Sequence, residues 1–450
     1  MKPAADVLKD LARRSNVSIH SNSALVGGVE DAAAEDDAER KEKELDALRR
    51  KPSLQPVPAS ESGASISLAP WEVLHALARA ISLSNRGAGR GLAEHWGALK
   101  YTQALTGDPH SFMKLSPEGR DTADYYKALQ SSELGVGFAV AATERILRHR
   151  YPDHAVSIVP ADTALRAGWA LTSRDKGPRS GYRYRPHFFA EVWKPGEPSR
   201  VFPIAAKGNH SNAAVSHTQL ASASAHVEAV HIGAWDQTPS LIHSTELPLD
   251  GPLTLHVLQT KGTGGWLRGS GPSRQNLDES LEEENHFPGI QPPVDGDEPR
   301  DKEPGFHVTS DRYEWFRHSL ARTAAGGVTA FTGDGEATIP YLTTRQGRKR
   351  FTGIAHPATG SVHDASYTLL GTRFVGTDHV FRLNRTRVEA FSGVAADLFE
   401  LLAGQQVEQY RSEIHSRRSS WPKETWDRRW KGPVSIHPDG TVLAIRLLIS

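Results

Sequence analysis

The chain is 450 residues long and carries 53 Lys and Arg against 53 Asp and Glu, so it has no net charge and any nucleic-acid contact must come from a local patch. Its 38% hydrophobic and 24% charged residues suit a globular chain with room for two or three domains. The absence of cysteine excludes disulfides, thiolate metal sites and cysteine nucleophiles. The N-terminal MKPAADVLKDLARR lacks the apolar run of a signal peptide, and no window reaches the ~18 apolar residues of a membrane span, so a cytoplasmic protein without a membrane partner is expected.

Residues 1–65 read as a disordered or weakly helical leader and linker, alanine-rich and acidic around Glu30–Asp46 and ending in the Pro/Ser-rich KPSLQPVPASESGAS. Such a segment offers a site for a protein partner. From Leu68 the pattern turns helical. Pro70 suits a first helical turn, and Trp71, Leu74, Leu77, Ala78 and Ile81 share one face of WEVLHALARAISLSN. LAEHWGALKYTQALTG and SPEGRDTADYYKALQ predict two more helices. In SELGVGFAVAATERILRHR, apolar residues cover much of the circumference, as in a helix lying on a sheet. AVSIVPAD predicts a strand, and YRPHFFAEVW and RVFPIAAKG predict an antiparallel hairpin about KPGEPS. HTQLASASAHVEAVHIG predicts a helix whose small side chains allow close approach to the sheet; SLIHSTEL and PLTLHVLQT predict further strands. Gly, Pro and acidic residues over 268–305 predict a flexible connector, dividing a 66–267 helical subdomain plus α/β core from a 306–450 α+β accessory domain.

The helix, strands, helix, strand order from Glu133 to about Leu247 resembles the PD-(D/E)xK superfamily of restriction-endonuclease-like folds. The resemblance covers about a quarter of the chain and rests on element order and local motif shape. It implies an α/β fold, a restriction-endonuclease-like mixed-sheet core with N-terminal helices and a C-terminal α+β domain. It also implies chemistry in which carboxylates hold Mg²⁺ and a lysine positions the attacking water. On this chain the family's helix acid falls on Glu133, its Pro-Asp pair on Pro186-His187, its acid-x-Lys on Ala205-Ala206-Lys207 and its polar residue of the next helix on Gln219. Both hairpin carboxylates are missing. Glu191 shares a strand face with His187 and is the candidate replacement, while His187 suits Mn²⁺ or a softer metal. His210 and His217 stand as candidate bases. The candidate catalytic set is Glu133, Glu191, Lys207 and Gln219; the candidate metal ligands are Glu133, His187 and Glu191, for Mg²⁺ or Mn²⁺ if the site is active. The plain alternatives are a solvated Lys207 at a strand end and a Glu133 that favours its helix dipole.

Three basic runs follow: Arg345, Arg348, Lys349 and Arg350 in TTRQGRKRF; Arg382, Arg385 and Arg387 in RLNRTR; and Arg428 and Arg429 with Trp426 and Trp430 in RRSSWPKETWDRRWK. Cations contact phosphate and exposed indoles stack on bases, so DNA is the expected partner, with RNA left open. The leading reading is a nuclease-like protein that interacts with nucleic acid through a degenerate core. An active metal-dependent phosphodiester hydrolase and a noncatalytic protein-interaction or structural component are the alternatives.

Overall fold

The computed structural model describes residues 2–84, 93–169, 171, 184–235, 237–268, 277, 289–290, 303–352 and 364–448. Of the two readings of the leader, disordered or weakly helical, its first elements fit the helical one and add strands to it. Ala4, Val7, Leu8 and Leu11 recur at helical spacing and are buried along α1 (Ala4–Ala12). β1 (Ser15–His20) follows, and Asn22 caps α2 (Ser23–Glu42) by accepting from the Leu25 N–H. β1 is internal to the main sheet, between antiparallel β2 (Ser65–Leu68) and a parallel partner near the middle of the chain. β1 is ordered by long-range pairing, which neither its own six residues nor the alanine-rich, weakly periodic α2 after it advertises.

α3 (Pro70–Ile81) and α4 (Asp124–Arg150) precede a three-strand antiparallel meander, β3 (Ala155–Pro160), β4 (Phe188–Trp193) and β5 (Ser199–Asn209). α5 (Ala213–Glu228) then leads to β6 (Ser240–Glu246), parallel to β5, and β7 (Thr254–Thr260), antiparallel to β6 and parallel to β1. The mixed sheet runs β2–β1–β7–β6–β5–β4–β3, with Gln55–Pro56 added beside β7 and Trp266–Leu267 beside β5. Alternation along β5 assigns its faces. Phe202 and Ile204 share a core with Leu134, Phe138 and Ile146 of α4. Ala205 packs instead with Leu220, Ala221, Ala223 and Val227 of α5, and Leu25 and Val29 of α2 close over that layer.

α4 crosses β5 with almost no space between them. A Cβ on Gly208 would stand 2.1 Å from the Ser131 carbonyl oxygen, and one on Gly135 would stand 2.6 Å from that of Lys207. Backbone cannot yield as a flexible side chain does. Gly208→Ala is therefore expected to cost about 1–3 kcal/mol of stability by prying helix from strand. A urea midpoint unchanged from wild type would show that the approach is not needed.

The rest of the chain builds α6 (Tyr313–Phe331) and a separate, wholly antiparallel sheet. Its strands are β8 (Ala365–Leu369), β9 (Thr372–Leu383), β10 (Thr386–Ala395), β11 (Gly432–Ile436) and β12 (Thr441–Leu447), in the order β8–β9–β10–β12–β11 with Trp426–Asp427 at the edge. Between β10 and β11 lie α7 (Ala396–Ala403) and α8 (Val407–Arg417). One face of this sheet, with Phe374, Phe391, Val394 and Val442, covers α7 and α8. Val388, Ala390, Leu443 and Ile445 belong to the same core as Trp71 and Phe138, and the Trp71 indole N–H donates to the Leu443 carbonyl at 2.8 Å. The 306–450 segment thus shares its core with α3 and α4 and is not a separate accessory unit. The connector expected over 268–305 lies largely outside the described residues. No helix among those described is long and apolar enough to cross a membrane.

Candidate functional site

Lys207 stands near the end of β5 on the face turned to α5, two residues beyond Ala205. Strand register sets a polar row beside it. Lys207 lies opposite Ser244 of β6, Ser244 opposite His256 of β7, and His256 opposite His20 of β1. α5 roofs the row with Gln219, whose Nε2 donates to the Gly208 carbonyl at 2.9 Å and whose Oε1 accepts from Ser244 Oγ at 2.7 Å and Asn209 Nδ2 at 3.2 Å. Farther along, His256 Nε2 meets Glu246 Oε2 at 2.9 Å, and the Nδ1 atoms of His256 and His20 are 3.0 Å apart, so one of them carries the shared proton. Asn22 completes the chain at His20 Nε2, 3.0 Å away.

His187 flanks Lys207 from β4. Its Nδ1 accepts from the Ala206 N–H at 3.0 Å, and its ring stacks on His226 at 5.6 Å. Burial, together with the Lys207 cation and His226, pushes His187 down to about 3. Burial lowers Lys207 as well. Two neutral imidazoles therefore lie beside a half-buried ammonium, and among the described residues no carboxylate pairs with it.

The acids expected here are used elsewhere. Glu133 is buried on α4, on the opposite face of the sheet, where its Oε2 accepts from Tyr101 OH at 2.7 Å and pairs with Lys100 at 2.5 Å. Glu191 lies opposite Val201, six residues before Lys207, which is roughly 20 Å along the strand. Arg411 clasps both of its oxygens, at 3.0 and 3.2 Å, with the guanidinium 3.9 Å from the Trp193 ring centroid. The expected ligand set of Glu133, His187 and Glu191 is thus not assembled around Lys207. A hard divalent ion needs several oxygen ligands, and the His187 lone pair on Nδ1 is already engaged by Ala206. Among the described residues no group of three or more His, Asp or Glu is disposed to hold a metal ion. His210, a candidate base, turns its Nδ1 to the Leu247 carbonyl at 2.8 Å.

The basic runs divide by exposure. Arg345, Lys349, Arg382, Arg385, Arg387, Arg428 and Arg429 are exposed. Arg382 and Arg387 face each other across the β9–β10 ladder, with Arg385 in the tight turn between them. Arg348 donates to Thr344 Oγ1, and half-buried Arg350 donates to the Ser84 carbonyl. The tryptophans correct the expectation of a stacking platform. Trp430 is buried under Tyr367 and under the Arg446 guanidinium, 4.1 Å from its centroid, and Trp426 is half-buried against the core.

Sequence reasoning missed His20, Asn209, Ser244, Glu246 and His256 as members of the polar network that extends across the sheet from beside Lys207. Only strand register unites them, and His20 falls in the segment expected to be disordered or weakly helical. No protein-family model, curated protein or solved structure matches this chain.

Proposed function

We propose that this protein binds nucleic acid through a nuclease-like α/β core and does not cut it. The observation that carries the reading is Lys207, a half-buried cation at a strand end with no carboxylate partner among the described residues, close enough to His187 and His226 to lower both, beside the strand end that Gln219 roofs. A phosphate supplies the missing anion without a metal. The order α4–β3–β4–β5–α5–β6, with β5 and β6 parallel, supports the likeness to the PD-(D/E)xK core. Ala205 and His187 stand where that family carries acids, which argues against the hydrolase reading. Arg382, Arg385 and Arg387 add a second contact: like charges directly opposite repel, and a phosphate between them relieves that repulsion.

Fluorescence anisotropy of labelled duplex and single-stranded DNA, titrated between about 50 and 200 mM salt, tests this. Binding is expected to weaken steeply with salt. Lys207→Ala should lose about tenfold in affinity and flatten the slope of log K against log salt by about 0.9 on duplex. No product should form with Mg²⁺ or Mn²⁺. Cleavage that disappears in Lys207→Ala would instead establish the hydrolase, and no binding by wild type would favour a protein-interaction role.

A further inference from the structure

A second cleft opens on the α4 side of the main sheet, whereas Lys207 faces α5. It consists of two adjoining chambers of about 520 and 380 Å³, which share Arg148, Arg418, Ser419 and Pro438 as a common wall. These volumes lie in the range that accepts a small-molecule ligand. The larger chamber is lined by five cations, Arg14, Arg145, Arg148, Arg418 and Lys423, against two carboxylates, Glu72 and Glu144. Both carboxylates are engaged: Glu72 with Arg14 and the Ala69 N–H, and Glu144 with Arg79, His437 and Arg148. Arg145 and Lys423 have no acidic partner among the described residues, and Arg418 has only the exposed Asp153 at 3.9 Å. The excess charge is therefore uncompensated among the described residues.

The floor is fixed. His437 bridges Glu144 at 2.7 Å and Asp439 at 2.9 Å, and Arg79 spans the same two acids at 3.1 and 2.6 Å. One wall is apolar and aromatic, made by Trp421 and Ile436, and the Trp421 indole N–H is out of water and without an acceptor. A rigid base, Arg148 and Arg418 between two chambers, the unpaired cations of Arg145 and Lys423 beside them and an indole wall call for a ligand with a central anion and a flat ring.

We propose that this cleft binds a nucleotide, free or as the end of a strand, with its phosphate between Arg148 and Arg418 and its base against Trp421. The site is independent of the Lys207 reading and stands if that one fails. Isothermal titration of the full chain with AMP, UMP, a 5′-phosphorylated dinucleotide and inorganic phosphate tests it. At least one nucleotide should saturate the protein below roughly 1 mM. Arg418→Ala combined with Lys423→Ala should weaken that binding at least tenfold, Trp421→Ala should remove the preference for nucleotide over inorganic phosphate, and Lys207→Ala should change neither. Tighter binding of the dinucleotide than of the mononucleotides would assign the site to strand ends, and the converse to free nucleotides. Three results would overturn the proposal: no saturation by any nucleotide, inorganic phosphate binding as tightly as AMP, or full affinity in an Arg418→Ala, Lys423→Ala protein whose circular dichroism is native.

Discussion

Arg79→Ala is expected to cost about 3–5 kcal/mol of folding stability, although Arg79 lies far along the chain from the acids it serves. Its guanidinium joins Glu144 of α4 to Asp439 in the β11–β12 turn, at 3.1 and 2.6 Å, and all three side chains are at most 13% exposed. Burial alone would raise the Glu144 carboxyl; His437 and Arg79 more than offset it and hold the group well below the usual carboxylate range. Asp439 is lowered in the same way, with Arg79 the strongest partner. Removing the cation leaves Asp439 with His437 alone and Glu144 with His437 and the more distant Arg148, so two buried carboxylates must stay charged on weaker partners or take up protons. Chemical denaturation reads the loss directly. Glu144→Gln should cost less in the Arg79→Ala background than in wild type, because the charge it removes is by then a liability. A loss below about 1 kcal/mol for Arg79→Ala would mean that water already screens the cluster.

That network explains why part of the architecture was legible and part was not. The apolar stripe of WEVLHALARAI and the hydrophobic run of YRPHFFAEVW are local signals, and α3 and β4 follow from them. Gln219 was named only through the resemblance to the PD-(D/E)xK family, and its hydrogen bond to the Gly208 carbonyl puts it beside Lys207. Partnerships across the chain left no trace. Glu191 was placed beside His187 by alternation, but alternation fixes a face and not a neighbour, and the neighbour is Arg411, 220 residues away. His20 and His256 are separated by 236 residues and meet only because β1 inserts beside β7. Trp430 sits in a run of charges that reads as surface, yet Arg446 from the adjoining strand lies over its ring and removes it from solvent.

Lowering the pH from 6.5 should destabilise the fold by about 1.4 kcal/mol per pH unit through His243, with His75 acting in the same direction. His243 is fully buried with Nε2 against Thr143 Oγ1 at 2.9 Å, and burial pushes it down to about 3 from an ordinary 6.5. His75, 2% exposed and hydrogen-bonded to the Ser435 and Thr441 hydroxyls, is lowered by burial first and then by Arg79 and His437. Above pH 6.5 these rings are neutral in both the folded and the unfolded chain, so they do not affect the balance. Below it the unfolded chain takes up a proton at each position that the folded chain refuses, and the His243 ring alone lowers stability by about 1.4 kcal/mol per unit. For His243 the loss levels off near pH 3, where the folded ring also protonates. His187, also pushed down to about 3, acts in the same direction. Glu144 and Asp439 act in a different window: with carboxyls lowered by folding, their contribution is intact above the ordinary carboxylate range and declines only at lower pH. The interval from pH 6.5 to 5 therefore isolates the histidines. In His243→Gln, the slope of unfolding free energy against pH over that interval should fall by about 1.4 kcal/mol per unit, whatever the substitution does to stability at neutral pH. An unchanged slope would mean that His243 is already protonated or hydrated in the folded protein, and that the sheet beneath α4 is wetter than its packing implies.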